Sequence, residues 1–159
     1  KGVDEMKLAE ALILRADAQK RIQELRERLA RSARVQEGDT APENPQDLIE
    51  ELTRVVAELR DLIKQINRTN AQTPFDETRT LTDALADRDA LSIEHGVLAG
   101  LLTEATGGNQ RYGYNPSNIK YFRAVDVASV QKRADDLAAQ RRELDSRIQA
   151  LNWTVDLSE

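Results

Sequence analysis

Between Leu48 and Ile66, the residues Leu48, Leu52, Val55, Leu59, Leu62 and Ile66 recur at steps of four, three, four, three and four. A strand buries alternate residues, so this spacing lines up one face only if the segment is helical. Ile49, Val56 and Ile63 repeat every seven residues beside the stripe and widen it. A face that wide packs against two neighbours rather than one. Asn44 offers a side-chain oxygen to free backbone N–H groups, and Pro45 suits a first helical turn whose N–H has no partner anyway. The spacing therefore predicts a helix from about Pro45 to Asn67.

Three further segments carry the same signal. From about Val3 to Val35, the residues Leu8, Ala11, Ala18, Ile22, Leu25 and Leu29 keep the three-and-four rhythm, with Arg15 in the one skipped place. The acidic stretch from Glu37 to Pro42, with Gly38 and Pro42 stopping the helix, reads as an exposed loop. The first two helices are thus expected to form a long antiparallel hairpin. A third helix runs to about Glu104 on Leu81, Ala84, Leu85, Leu91, Leu98 and Leu102, with Thr80 and Asp83 as a capping box and Gly96 and Gly100 weakening its second half. A fourth, capped by Asp126, runs from about Val127 to Leu151 on Val130, Ala134, Leu137, Leu144, Ile148 and Leu151, and Arg141 takes the remaining place.

Between the helices, residues 70–80 read as an ordered crossing and 110–118 as a mobile loop. Residues 119–125 alternate like a strand and are expected to pair with Trp153–Leu157. The expected fold is mainly α, an antiparallel four-helix bundle with coiled-coil-like packing and a short β-ribbon near the C-terminus. Residues 1–5 read as an extraneous or disordered lead and 6–159 as a single domain.

Composition fits long helices. Charged residues make up 32%, and the aromatics are three Tyr, two Phe and one Trp. The net charge of −5 opposes the long-range attraction to phosphate on which nucleic-acid binding depends, so no nucleic-acid partner is expected. No apolar run nears the roughly 20 residues that span a bilayer, and no membrane partner is expected. With no cysteine, disulfide and thiolate chemistry are excluded, and a cytoplasmic setting fits.

Charge is unevenly divided. Residues 6–36 hold eight cations against four acids, whereas 37–63 hold eight acids against two arginines and 76–104 seven acids against two. A basic first helix reads either as a nucleic-acid stripe or as the partner of acidic helices, with opposite charges flanking the seams and fixing which helices pair. The second reading is the stronger.

Little in the chain points to catalysis. Di-iron bundles need two Glu-x-x-His motifs, and this chain has one histidine, His95. No metal or cofactor is expected, beyond copies of His95 meeting on an oligomer axis. No Gly-rich phosphate loop or nucleophile elbow is present. Enzymatic activity is therefore unsupported.

Polar residues on the apolar stripes are more informative. Arg15, Arg88, His95 and Arg141 occupy seam positions, where a cation must reach solvent or meet a carboxylate. Asp83, Asp87, Asp89 and Glu94 are near in sequence. Either a polar layer fixes register, or the arginines bind a small anion. A second polar set comprises Asn67, Arg68, Thr69, Asn70, Arg79, Thr80, Thr82 and Asp83, with Asn152 and Trp153 approaching the same bundle end. It reads as helix caps or as a polar pocket, and Trp153 as a cap on the core.

The runs Met6–Leu12, Ile66–Asn70, Thr80–Asp89 and Asn152–Thr154 resemble a bacterial family often labelled septicolysin-like. That label implies a membrane-active cytolysin. The residues themselves favour a homo-oligomeric helical protein that works by binding or assembly, with the wide stripe of the second helix covered by another copy. An enzyme or small-ligand binder using Arg68, Arg79, Asp83, Arg88 and Asp89 is the alternative; the sequence does not identify its ligand.

Overall fold

In a computed structural model, residues 6–107 and 122–158 are described. They form four helices, α1 (Leu8–Ser32), α2 (Pro45–Gln72), α3 (Leu81–Ala105) and α4 (Val127–Asn152), and no β-strand is present among them. The protein is all-α. The lead at residues 1–5, the loop at 110–118 and positions 119–121 of the expected strand lie outside the described residues.

Backbone packing divides the chain into two compact units. The first runs to Thr82 and resumes at Gln149; the second spans Asp83–Ile148.

In the first unit, α1 and α2 form an antiparallel hairpin. Leu8, Ala11, Leu25, Leu48 and Ile66 are buried on the seams. Arg21 and Arg28 of α1 both pair with Glu51 of α2, and Arg28 also pairs with Glu43 just before it. The basic helix thus spends charge on the acidic one. Asn44 caps α2 by accepting from the Gln46 N–H at 3.0 Å, with Pro45 in the first turn. α2 runs five residues beyond the expected Asn67. Its last turn is held by two threonine hydroxyls, with Thr69 donating to the Gln65 carbonyl at 2.8 Å and Thr73 to the Thr69 carbonyl at 2.7 Å.

Among the described residues, the expected β-ribbon is not found. Phe122–Val125 is not a strand. The segment after Trp153 meets the start of the chain instead: the Leu8 N–H donates to the Val155 carbonyl at 2.9 Å and the Leu157 N–H to the Met6 carbonyl at 2.8 Å. One bridge, between Lys7 and Asp156, results.

In the second unit, α3 and the part of α4 up to Ile148 run antiparallel, tied by Arg88 to Asp145 and by Arg133 to Glu94. Asp126 caps α4 by accepting from the N–H groups of Ala128 and Ser129. Ala84, Ala134, Leu137, Leu144 and Ile148 are buried.

Candidate functional site

A dense polar arrangement lies at the end of α2 in the first unit. Residues 73–81 turn back on themselves: the Phe75 N–H donates to the Arg79 carbonyl at 2.8 Å and the Leu81 N–H to the Thr73 carbonyl at 2.9 Å. Asp76 organises the turn. Its Oδ1 accepts from the N–H groups of Thr78 and Arg79 at 3.1 and 2.9 Å, and its Oδ2 from the Arg79 guanidinium at 2.6 and 2.9 Å. The Arg79 guanidinium and then the Thr78 N–H hold the Asp76 carboxyl down at about 2. The guanidinium also lies 5.1 Å from the centre of the Phe75 ring, within reach of a cation–π attraction. Both carboxylate oxygens are occupied by protein donors, so Asp76 is a structural clasp rather than a free base.

The tail joins the same end. The Ser158 N–H donates to the buried Thr69 hydroxyl at 2.9 Å, and the Ser158 hydroxyl contacts the Gln72 side-chain oxygen at 3.2 Å. Thr69 thus donates through its hydroxyl proton and accepts through its oxygen. Within this unit the chain gathers Asn67, Arg68, Asn70, Arg79, Thr80, Asn152 and Trp153 of the sequence-predicted polar set. Asn67 and Arg68 are exposed, Asn70, Arg79 and Thr80 half-buried, and Asn152 buried. Trp153 does not cap the core. It is 56% exposed, because the backbone turns at Thr154 and Val155, whose N–H groups both donate to the Leu151 carbonyl.

The other sequence-predicted residues lie in the second unit. Arg88 is half-buried between Asp145 at 3.1 Å and Asp89 at 3.2 Å, which is the fate expected of a seam arginine with carboxylates in reach. Asp83 and Asp89 are exposed and His95 is half-buried. Arg141 is exposed despite its place in the seam pattern. Among the described residues, no three His, Asp or Glu side chains gather to hold a metal ion.

Sequence reasoning missed Asp76, Phe75 and Ser158. The first had a signal, since an Asp followed two and three residues later by Thr78 and Arg79 is an Asx-turn pattern. It missed the outward face of α3 as well. Ala86, Ala90, Ile93, Val97, Gly100 and Glu104 step four, three, four, three and four along the side opposite Arg88 and His95. Ile93 and Val97 are 69% and 66% exposed. Beside Gly96 and Gly100 there is open space where a Cβ would stand. α3 therefore carries two heptad-spaced seams back to back.

Residues 15–157 match the family of unknown function DUF6847. The chain belongs to this family. A crystal structure of a functionally unknown conserved protein from Corynebacterium diphtheriae, 42% identical, matches with a TM-score of 0.88 over 98% of this chain and 100% of that one. No curated protein matches. Membership in DUF6847 corrects the septicolysin-like resemblance, and the cytolysin implied by it falls away. Three of the four runs behind that resemblance lie inside the DUF6847 match, where they build helix ends and the tail closure. No helix of the described residues is long and apolar enough to cross a membrane.

Proposed function

We propose that this DUF6847 protein is a cytoplasmic homo-oligomer that works by binding or assembly, with the outward face of α3 covered by a second copy. One observation carries the reading: Ile93 and Val97 stand on a heptad-spaced seam yet are 69% and 66% exposed. A helix apolar on both sides is one that neighbours enclose on both sides. Covering a side chain of this kind fully is worth roughly 1.5–3 kcal/mol.

The face is self-complementary, as a two-fold interface requires. With two copies of α3 antiparallel and the axis near residues 96 and 97, Ile93 of each enters the open space at Gly100 of the other, and Val97 that at Gly96. Backbones approach closely in a coiled-coil-like pair. Ile49, Val56 and Ile63 on α2, all partly exposed, offer a second apolar stripe for higher assembly. In such an assembly the polar cluster around Thr69, Asp76 and Arg79 serves to close one end of the first unit and set its register.

Light scattering on the purified chain tests this. Self-association should give at least twice 17.9 kDa, and Val97→Asp should return the mass to that of one chain. A single-chain mass for the unsubstituted protein at high concentration defeats the reading.

A further inference from the structure

A cleft of about 540 Å³ runs along the α1–α2 hairpin, a size within the range of ligand sites. Its floor is apolar, made of Leu14, Ala18, Val55 and Leu62, and its rim carries Asp17, Glu58 and Asp61. Leu14 is exposed although it is large and apolar. The one cation of the lining, Arg21, is turned to Glu51 and Glu24, and Asp61 pairs with Arg60. Asp17 and Glu58 make no ion pair among the described residues. The rim is therefore left with unspent negative charge on both helices, over a floor that water solvates poorly.

These features suit one kind of occupant. The lining spans Leu14 to Arg21 on one helix and Val55 to Gln65 on the other, about 10–15 Å at 1.5 Å per residue. An open groove along two antiparallel helices accepts a third helix laid into it, with anchors at three-and-four spacing. Acids on both flanks call for Lys or Arg beside those anchors and repel an acidic helix. We propose that the α1–α2 cleft receives a basic amphipathic helix of another protein, two to three turns long. This surface is distinct from the α3 face, so either proposal can fail alone.

The test is fluorescence anisotropy on the full chain with a labelled 14-residue peptide of leucines at three-and-four spacing flanked by lysines. Two control peptides replace lysine by glutamate or scramble the leucine order. The lysine peptide should bind, and both controls should bind at least about tenfold more weakly. Asp17→Asn with Glu58→Gln should weaken binding about fivefold or more. Glu37→Gln with Asp39→Asn, the same charge change in the loop after α1, should leave it unchanged. Equal binding of the scrambled peptide overturns the proposal, and so does equal weakening by the two double variants.

Discussion

The Leu157 N–H donates to the Met6 carbonyl at 2.8 Å, so the two ends of the described chain lie side by side. Lys7 pairs with Asp156 across the same contact, and the fully buried Leu8 follows directly. The apolar residue holds this closure more firmly than the ion pair, because an exposed pair gains little in water. Leu8→Ala should cost about 2–5 kcal/mol, and Asp156→Ala under about 1 kcal/mol. Urea denaturation of both variants checks the order, and a larger loss for Asp156→Ala would refute it.

Ser32, in the last turn of α1, is 3% exposed, and its hydroxyl has no hydrogen-bond partner among the described residues. A buried hydroxyl without a partner costs stability, and alanine is the better helix former. Ser32→Ala should stabilise the protein by about 1 kcal/mol, seen as a rise in Tm.

Asp76 gives the first unit a dependence on acid. Its carboxyl is held at about 2 in the folded chain, against an ordinary 3.8. A lowered value means that the folded state favours the charged form. The contribution is thus fully present above the ordinary value and is lost as pH falls through about 2. The Tm advantage of the unsubstituted chain over Asp76→Asn should be constant from neutral pH to about 4 and shrink steadily toward pH 2. A constant gap down to pH 2 would rule out the clasp.

The helices were legible because burial of Leu, Ile and Val at three-and-four steps is local information. Leu48 and Ile66 mark α2 from sequence alone, and Asn44 and Asp126 cap as their chemistry requires. The tail was misread because a short alternating run does not name its partner. Trp153–Leu157 suited a ribbon, and only the fold decides that Met6 and Lys7 lie beside it. Trp153 misled for a related reason, since a lone large aromatic says nothing of where the backbone turns. Of the polar set, Arg79 was visible as a charge, whereas Asn67 and Asn70, read as helix caps, lie inside α2, which ends at Gln72. Asp76 went unnoticed in a segment read as an ordered crossing, because its acceptor contacts to Thr78 and Arg79 exist only once residues 73–81 close. The outward seam of α3 was hidden by its glycines, which read only as helix-weakening positions.

Those glycines separate the monomer from the assembly. Among the described residues, nothing meets a Cβ added at Gly96 or Gly100, so alanine there removes the conformational cost of glycine in a helix, roughly 0.5–1 kcal/mol per site. In the proposed α3 pair, the same methyls would fill the space that Val97 and Ile93 of a second copy need. Gly96→Ala with Gly100→Ala should therefore raise Tm at low protein concentration while weakening association. Higher Tm with unchanged association would remove the glycines from the interface.

The chain has no cysteine, so a single introduced thiol reports its own neighbour. In the proposed antiparallel α3 pair, Val97 would lie beside the two-fold axis and Ser146 on α4 away from it. Under mild oxidation, Val97→Cys should form a disulfide-linked dimer on a non-reducing gel, and Ser146→Cys should stay monomeric. If Val97→Cys stays monomeric, or both variants cross-link equally, α3 is not where two copies meet.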